Sequence, residues 1–448
     1  SALTFWVLRP RNKCEKGLMN QSEKSNGPIP LSLLPDSAEV GSRGELRIGG
    51  IAVDDLANEY GTPLFIYDED HLRSRCSEAL SALGAGTAYA GKAFLCVAMA
   101  RLVTEEGLHL DVASEGELRT AIAADVPGER IVLHGNNKSV GELSLARSYG
   151  VGRVVVDSFD ELRRLQELHD QDGIVSPILL RVTPGVEAHT HEYVSTGQND
   201  SKFGFGLESG AAAAAVEECI ANPGVDLVGV HQHIGSQVFR VDSFARALEV
   251  VVGFSEPLGL PELSVGGGLG VAYLESESAP SISEWGEMLG QACDSLGVQA
   301  RVSAEPGRSI AAQAGVTVYS IGTIKEIPGI RTYMAVDGGF VDNPRPMLYG
   351  SGYTAFAPSR VTEDRNAVAR VVGKHCESSD VIVREASLPE NLKVGDFLAT
   401  PVTGAYGYSM ASTYNRMPRP PVVFVSKGES RLVIRGESVE DLLTLDVD

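Results

Sequence analysis

Short apolar runs alternate with helix-like segments through the middle of the chain. Eight runs carry polar residues or glycine at or near their C-terminal ends, and most are followed by apolar residues at helical spacing. The runs lie at 87–93, 108–113, 130–135, 153–158, 178–182, 227–235, 263–268 and 302–308. Strand alternating with helix predicts parallel strands joined by right-handed crossovers. Eight such units over roughly 250 residues predict a closed (β/α)8 barrel of the TIM type. The alternative is an open doubly wound sheet.

Three of the helical segments open with a serine that is followed three residues later by glutamate. The pairs are Ser114 and Glu117, Ser139 and Glu142, and Ser158 and Glu161. Because this is the capping-box pattern, it predicts helix starts at the three serines. Between the fifth and sixth runs lies the polar, glycine-containing stretch HTHEYVSTGQNDSKFGFG, which predicts an active-site loop.

The pattern changes near residue 317 to β-rich runs separated by Gly, Pro and Asp turns. This predicts a second, mostly antiparallel β-domain over residues 317–448. The barrel is then expected to occupy 64–316. A strand pattern within 44–63 is expected to pair into the β-domain. Residues 1–43 predict an irregular N-terminal arm.

Composition narrows the class of protein without naming an activity. The formal net charge is −21, which disfavours nucleic acid and anionic membranes as partners. The six cysteines contain no CxxC pair, which favours a reducing cytoplasm over a zinc or disulfide scaffold. We expect no membrane-spanning helix and no signal peptide. Residues 1–18 fit the following sequence poorly, and Met19 is a candidate natural start.

The predicted barrel would gather ionisable residues on one face. In a (β/α)8 barrel the active site lies at the C-terminal ends of the strands. At or near the C-terminal ends of the eight runs lie, in order, Lys92, Asp111, His134, Asp157, Arg181, His231 with His233, Gly266–Gly268, and Glu305–Arg308. The sequence therefore predicts an active site at this face.

Two of these strand ends point to a carbonyl cofactor with a pyridine ring. Lys92 is flanked by small and apolar residues in AYAGKAF, and partial desolvation favours a neutral amine that can form a Schiff base. Glu305 suits a pyridine nitrogen that must stay protonated, and Arg308 suits a phosphate or carboxylate. The alternatives are a lysine that reaches out to solvent and a local Glu–Arg surface pair.

Further residues fit the same cofactor. Gly266–Gly268 can bring backbone N–H groups onto a phosphate, and Ser236 adds a donor. His233 can stack on an aromatic ring. The alternative is a metal pair with His231, but no acidic companion at ligand spacing supports it, so no metal site is predicted. Cys376, flanked by polar residues, is a candidate proton donor, with a small buried hydrophobe as the alternative.

Ten motifs between about residues 45 and 440 resemble, in order, the diaminopimelate decarboxylase family of fold-type III pyridoxal-phosphate decarboxylases. They are YAGKAF, DVASEGEL, HGNNKS, THEYVSTGQNDSKFGFG, HQHIGSQ, GGGLG, AEPGRS, VDGGFVDNPRPMLYG, GKHCESSD and TGAYGYSMASTYN. DNPRPMLYG and CES favour this family over ornithine or arginine decarboxylases. The resemblance implies an alanine racemase-like barrel followed by a β-domain. Glu115 and His109 depart from the family's common pattern without removing a catalytic group.

The resemblance also implies roles for individual residues. Lys92 matches the lysine that forms the Schiff base with pyridoxal 5'-phosphate. Other cofactor contacts are implied for His233, Ser236, Gly268, Glu305, Pro306, Gly307, Arg308 and Tyr406. Substrate contacts are implied for Arg308, Arg345, Tyr349, Glu377 and Tyr406. Cys376 matches the proposed acid, lent with Glu377 across a homodimer interface.

The implied activity is decarboxylation of meso-2,6-diaminopimelate to L-lysine and CO2, the last step of lysine biosynthesis, in the cytoplasm. The alternatives are decarboxylation of ornithine or arginine, amino-acid racemisation, and a catalytically dead regulatory homologue. A racemase needs a second base opposite the lysine, which Cys376 imitates only in part. A dead homologue would be expected to lack Lys92 or Cys376, and both are present.

Overall fold

The computed structural model describes residues 28–186 and 201–447. Its strands are β1 Glu39–Val40, β2 Leu46–Ile48, β3 Ile51–Ala52, β4 Leu64–Asp68, β5 Ala88–Ala90, β6 His109–Val112, β7 Ile131–Leu133, β8 Arg153–Val156, β9 Ser176–Thr183, β10 Phe205–Gly206, β11 Val225–His231, β12 Glu262–Ser264, β13 Arg301–Ser303, β14 Gly315–Ile327, β15 Arg331–Val336, β16 Ala367–Val372, β17 Val381–Leu388, β18 Phe397–Pro401, β19 Val422–Ser426 and β20 Glu429–Ile434. Its α-helices are α1 Val53–Tyr60, α2 Glu69–Leu83, α3 Val97–Glu105, α4 Glu115–Ala123, α5 Val140–Tyr149, α6 Phe159–Asp172, α7 Ala211–Ala221, α8 Val241–Ser255, α9 Ile282–Leu296, α10 Arg308–Ala311, α11 Arg345–Tyr349 and α12 Val439–Leu443.

Eight parallel strands form the predicted barrel. Their order is β5, β6, β7, β8, β9, β11, β12 and β13, and each falls within or overlaps one of the eight predicted runs. Two backbone bonds close the ring between its first and last strands: the N–H groups of Ala88 and Ala90 donate to the carbonyls of Ala304 and Pro306, both at 3.0 Å. The barrel prediction is confirmed, and the open-sheet alternative is wrong.

The three predicted helix starts are confirmed. Ser114, Ser139 and Ser158 are the N-cap residues of α4, α5 and α6, and each hydroxyl accepts a hydrogen bond from the backbone N–H three residues on. At Ser139 the reciprocal bond is also present, because its backbone N–H donates to the Glu142 side chain. These caps satisfy donors that a helix start otherwise leaves unpaired, and so set where each helix begins.

The second sheet runs in the order β17, β16, β15, β14, β4, β19, β20, with β18 paired to β14. Five of its seven strand pairs are antiparallel, so the sheet is mixed but mostly antiparallel. Strand β4 lies at its centre, between β14 and β19, whereas the sequence analysis placed residue 64 at the start of the barrel. All five β4 residues are buried, and such a strand has the same apolar pattern in either sheet.

The segment 44–63 does not add a strand to the large sheet, contrary to expectation. Strands β1, β2 and β3 form a separate three-stranded antiparallel sheet. This small sheet packs on the β-domain, because Leu46 and Ile48 share an apolar cluster with Val425, and the N–H of Gly428 donates to the carbonyl of Gly49 at 2.6 Å.

Parts of two predicted irregular segments fall outside the described residues, namely 1–27 of the arm and 189–200 of the loop. The remainder of the arm contains a short 3-10 helix, Leu31–Leu33, and β1. The end of the loop forms β10, which pairs in parallel with β9. Within the described chain, none of the helices has the length and apolarity needed to cross a membrane.

Candidate active site

One cavity of about 660 Å³ lies at the C-terminal ends of the barrel strands, where the β-domain covers them. Its size is that of a small-molecule site. The predicted site residues that line it are Lys92, His233, Ser236, Gly268, Glu305, Gly307, Arg308, Arg345, Tyr349 and Tyr406. Pro306 lies in the wall behind it, where its carbonyl closes the barrel. The described residues that line the cavity include neither Cys376 nor Glu377.

Lys92 lies in a 3-10 turn, Gly91–Ala93, directly after β5. Its neighbours Gly91 and Ala93 are buried, but the lysine side chain is exposed to the cavity. The desolvation expected from the sequence is therefore wrong. Among residues 28–186 and 201–447, its amine has no hydrogen-bond or ion-pair partner, so it is free to react with a ligand.

Glu305 follows β13 and is held by three side chains. One carboxylate oxygen lies 3.0 Å from Nε2 of His231, and the other accepts a hydrogen bond from Ser264 Oγ at 3.0 Å. Nε2 of His134 lies 3.3 Å from that second oxygen. Burial by itself would raise the pKa of the Glu305 carboxyl, but the facing imidazoles of His231 and His134 outweigh it and hold the pKa well below its ordinary value. Glu305 is therefore an ionised carboxylate at the cavity wall.

His233 presents a neutral imidazole to the cavity. Its Nδ1 accepts a hydrogen bond from the backbone N–H of Gly267 at 3.2 Å. Burial, together with the charges of Lys92 and Arg181, holds the pKa of His233 well below its ordinary value. Among the described residues, the group whose ligand atoms lie close enough to hold a metal includes His231 but not His233.

The His134, His231 and Glu305 set is the one group in the described chain whose ligand atoms lie close enough to hold a metal, within 4.8 Å of one another. Those atoms already contact one another around the Glu305 carboxylate. We therefore interpret the set as a network that keeps Glu305 ionised. Neighbouring Asp111 belongs to the same network, since its Oδ1 lies 3.6 Å from Nε2 of His134. Burial raises the pKa of Asp111 to about 6.

The glycine run after β12 forms a cradle with no room for side chains. At Gly268 φ is +116°, and a Cβ there would overlap the carbonyl oxygen of Gly235. A Cβ at Gly267 would overlap the carbonyl of Glu305. Glycine is therefore required at both positions, and it lets the backbone approach a ligand closely.

Arg308 lies beside this cradle at the start of α10. Its guanidinium donates to Ser236 Oγ at 2.9 Å and to Tyr273 Oη at 2.6 Å, and it lies 4.6 Å from the centre of the Tyr406 ring. Its Nε is buried without a hydrogen-bond partner. A buried guanidinium with a free donor next to a hydroxyl and a glycine cradle is suited to a phosphate.

A second buried arginine lies further out in the same cavity. Arg345, at the start of α11, donates to Tyr353 Oη at 2.6 Å, and its guanidinium lies 4.2 Å from the centre of the Tyr273 ring. Tyr349, one turn later, also lines the cavity. Tyr273 therefore contacts both arginines, and the two cations are held apart by an aromatic ring.

Cys376 and Glu377 lie on an exposed loop of the β-domain. Glu377 accepts a hydrogen bond from Tyr414 Oη at 2.5 Å. Close by, Met347 contacts Ser379, and Met347, Leu348 and Tyr414 are 39%, 45% and 44% exposed. A single chain does not bring Cys376 to the cavity, but two partly exposed side chains, Met347 and Tyr414, contact the loop that carries it.

Several lining or supporting residues received no role from the sequence. Tyr273 and Tyr353 orient the arginines, and Ser264 holds Glu305. Ser264 ends a strand, so the rule that singled out the other strand ends also applies to it. Tyr273 and Tyr353 lie outside regular elements, and nothing local in the sequence marks them.

These groups fit the cofactor that the resemblance implies. A carbonyl carbon needs a free amine, which Lys92 supplies, and a pyridine nitrogen needs an anion, which Glu305 supplies. A phosphate needs the glycine cradle and the unpartnered Nε of Arg308. His233 offers a flat neutral ring to a flat ligand.

Comparison with known proteins identifies the family independently of these contacts. Residues 69–312 match the family model described as "Pyridoxal-dependent decarboxylase, pyridoxal binding domain". The chain is 47% identical over 425 residues to a Mycobacterium tuberculosis protein named diaminopimelate decarboxylase, covering 90% of this chain and 95% of that one. A Bacillus subtilis protein of the same name is 45% identical over 420 residues, with 90% and 95% covered.

Solved structures give the same result. The fold matches diaminopimelate decarboxylase from M. jannaschii, determined in complex with L-lysine, with a TM-score of 0.86 and 31% identity over 92% of this chain and 98% of that chain. The family resemblance drawn from the ten motifs is confirmed. The chain belongs to the diaminopimelate decarboxylase family of pyridoxal-dependent decarboxylases.

Proposed function

We propose that the chain removes one carboxyl group of meso-2,6-diaminopimelate as CO2 and releases L-lysine, with pyridoxal 5'-phosphate as cofactor. The observation that carries this proposal is the set of groups that line the cavity at the C-terminal ends of the barrel strands. Among the described residues, this cavity holds a lysine amine without a hydrogen-bond or ion-pair partner, an ionised carboxylate and two separate buried arginines. One arginine suits the cofactor's phosphate, and the other suits a second carboxylate on the substrate.

The cofactor would be held by residues of the barrel and by Tyr406. Lys92 would attach it covalently, His233 would lie against its ring, and Glu305 would hold a proton at its ring nitrogen. Ser236, the Gly266–Gly268 cradle and Arg308 would bind its phosphate. When bound, pyridoxal phosphate supplies an electron sink for the pair left by the broken carbon–carbon bond.

Arg345 and Tyr349 bind the distal carboxylate of the substrate in this proposal. An arginine fork pairs with a carboxylate through two parallel hydrogen bonds, so it fixes orientation as well as position. Anchoring the far end of the seven-carbon substrate determines which of its two α-carbons reaches Lys92. It would also fix the orientation of the scissile carboxyl group relative to Lys92.

Replacement of the lost CO2 requires a proton at the same α-carbon. We assign that proton to the Cys376 thiol, which regains it from solvent. Because Cys376 lies outside its own chain's cavity, the thiol would serve the cavity of a second subunit in a homodimer. The exposed apolar side chains of Met347, Leu348 and Tyr414 beside the loop fit such an interface. The proposal includes a cytoplasmic location, which the free cysteines of the described residues fit.

The substrate assignment is tested by measuring CO2 release from a panel of amino acids in the presence of added cofactor. We expect release from meso-diaminopimelate and little from lysine, ornithine or arginine, which lack the second carboxylate. Arg345→Ala should raise KM for diaminopimelate roughly a hundredfold, because it removes a bidentate charge pair, and should leave the slow reaction with lysine unchanged. The exposed Arg384→Ala is the control and should behave as wild type. An unchanged preference in Arg345→Ala would remove the distal-carboxylate assignment.

The shared site is tested by mixing two inactive variants. Lys92→Ala and Cys376→Ala should each be nearly inactive as homodimers. After subunit exchange, a hybrid has one cavity with both groups intact, so about a quarter of wild-type activity should return for random pairing of two-fold dimers. Mass spectrometry of the intact dimers would verify exchange. No recovery from a mixture that contains proven hybrids contradicts the shared site.

A further inference from the structure

Two segments of the β-domain carry predicted site residues, but only one of the segments lines the cavity of its own chain. The anchor segment, residues 338–350, places Arg345 and Tyr349 in the chain's own cavity. The lent loop, residues 373–380, carries Cys376 and Glu377 on the surface. Under the proposed function, on which this inference rests, the lent loop serves the partner's cavity.

One buried carboxylate joins the two segments. Asp380 is 3% exposed, and its Oδ1 accepts a hydrogen bond from the backbone N–H of Phe340 at 2.8 Å. Its Oδ2 accepts from the backbone N–H of His375 at 2.9 Å. Phe340 belongs to the anchor segment, and His375 directly precedes Cys376. A single side chain therefore holds the backbone of both segments through charge-assisted bonds.

The packing around Asp380 leaves neither segment room to shift alone. A Cβ at Gly339 would lie 2.8 Å from both Asp380 oxygens, and a Cβ at Gly373 would overlap Oδ2. The backbone N–H of Lys374 also donates to the carbonyl of Gly338 at 3.1 Å. The two backbones thus meet at two glycines with the carboxylate between them.

On the anchor side, the connection from Asp380 to Arg345 is short. The N–H groups of Asp342 and Asn343 donate to the carbonyl of Gly339 at 3.0 and 3.1 Å, and α11 begins two residues later at Arg345. A shift of Phe340 therefore moves a hydrogen-bonded turn that leads directly into the helix bearing the arginine.

In the lent loop, the Asp380 carboxylate also fixes the residues around the Cys376 thiol. The His375 ring lies 4.6 Å from the Phe340 ring, and both rings pack near Tyr414. Tyr414 in turn donates to Glu377. Cys376 is thus placed between a backbone N–H held by Asp380 and a glutamate held by Tyr414.

We propose that Asp380 is a positioning residue that couples the two active sites of the dimer. It sets, as one unit, the arginine that anchors substrate in a chain's own cavity and the thiol that the chain lends to its partner. Disturbing it in one chain should therefore affect both cavities, and in different ways. Its own cavity should bind substrate less well, and the partner's cavity should turn over more slowly.

The test places Asp380→Asn in either chain of the hybrid described above. Asparagine keeps the shape but turns an NH2 donor toward one of the two N–H groups. In the Cys376→Ala chain, which holds the working cavity, we expect KM for diaminopimelate to rise roughly tenfold with little change in kcat. In the Lys92→Ala chain, which lends the thiol, we expect kcat to fall roughly tenfold with little change in KM.

A matched control separates positioning from general stability. Asp68 is also fully buried and accepts two backbone N–H bonds, one from Ser37 in a distant segment and one from His71 in the helix that it caps, but it lies outside the cavity. Asp68→Asn should lower the melting temperature and leave KM and kcat unchanged in both placements. If Asp380→Asn chains do not assemble, Asp380→Glu, which shifts the same charge by one methylene, is tested in the same two placements with the same split expected.

The outcomes are distinct. An inactive parent hybrid, before any change at Asp380, overturns the shared site and the coupling with it. An active parent whose KM and kcat are unaffected by Asp380→Asn in either chain overturns the coupling alone. Equal effects on KM and kcat in both placements, as a merely structural role would produce, also overturn it.

Discussion

Lys92→Ala is expected to lower CO2 release from meso-diaminopimelate by on the order of a thousandfold or more. Lys92 is the one lysine among the described residues that line the cavity, and its amine has no competing partner there. The folded protein should remain, because the side chain is exposed and its loss removes no packing contact in the core.

The chemical readout for Lys92 is independent of turnover. Borohydride reduction of cofactor-treated protein, followed by peptide mass mapping, should place the label on the peptide that contains Lys92. Lys202→Ala is the matched control, because its ammonium lies 5.0 Å from the ring of Phe203, which itself lines the cavity. That variant should label and turn over as wild type does. Label on another lysine, or full activity of Lys92→Ala, would remove the assignment.

The barrel was predictable because its signal is local. Each barrel strand is an apolar run with a polar residue or glycine at or just beyond its C-terminal end, and each predicted helix start carries its own cap. Strand β4 shows the limit of that signal. All five of its residues are buried, so the pattern of Leu64–Asp68 does not indicate which of the two sheets the strand joins. That choice is made by β14 and β19, which lie far along the chain.

The same distinction holds in the site. Lys92, Glu305 and Arg308 were predicted because a strand end places them, whatever the loops do. The part played by Tyr273 was not predictable, since it depends on two arginines from separate segments, one bonded to its hydroxyl and the other lying over its ring. The network around Glu305 likewise depends on distances between side chains of different strands. The role of Cys376 stays a prediction, because in one chain the thiol lies outside the cavity.

Glu305→Gln is expected to lower kcat on the order of a hundredfold while cofactor remains bound. Glutamine preserves the shape and can still accept from Ser264, but it removes the negative charge that would hold a proton at the cofactor's ring nitrogen. Glu161→Gln is the matched control. Glu161 is a buried carboxylate paired with Lys138 at 2.8 Å, away from the cavity lining. Its replacement should reduce stability and leave kcat largely intact.

The pH dependence of stability gives a second measurement for Glu305. Because the folded-state pKa lies well below the ordinary value of 4.5, the ionised carboxylate stabilises the fold above pH 4.5. That contribution is lost as pH falls from 4.5 through the depressed pKa. The free energy of unfolding of wild type should therefore exceed that of Glu305→Gln at neutral pH, and the difference should shrink below pH 4.5. Urea titrations of the cofactor-free proteins at pH 7 and near pH 4 would measure this difference in the free energy of unfolding. A difference that is independent of pH would mean that His231 and His134 do not hold Glu305 ionised, and the site would then lack the fixed anion on which the proposed chemistry depends.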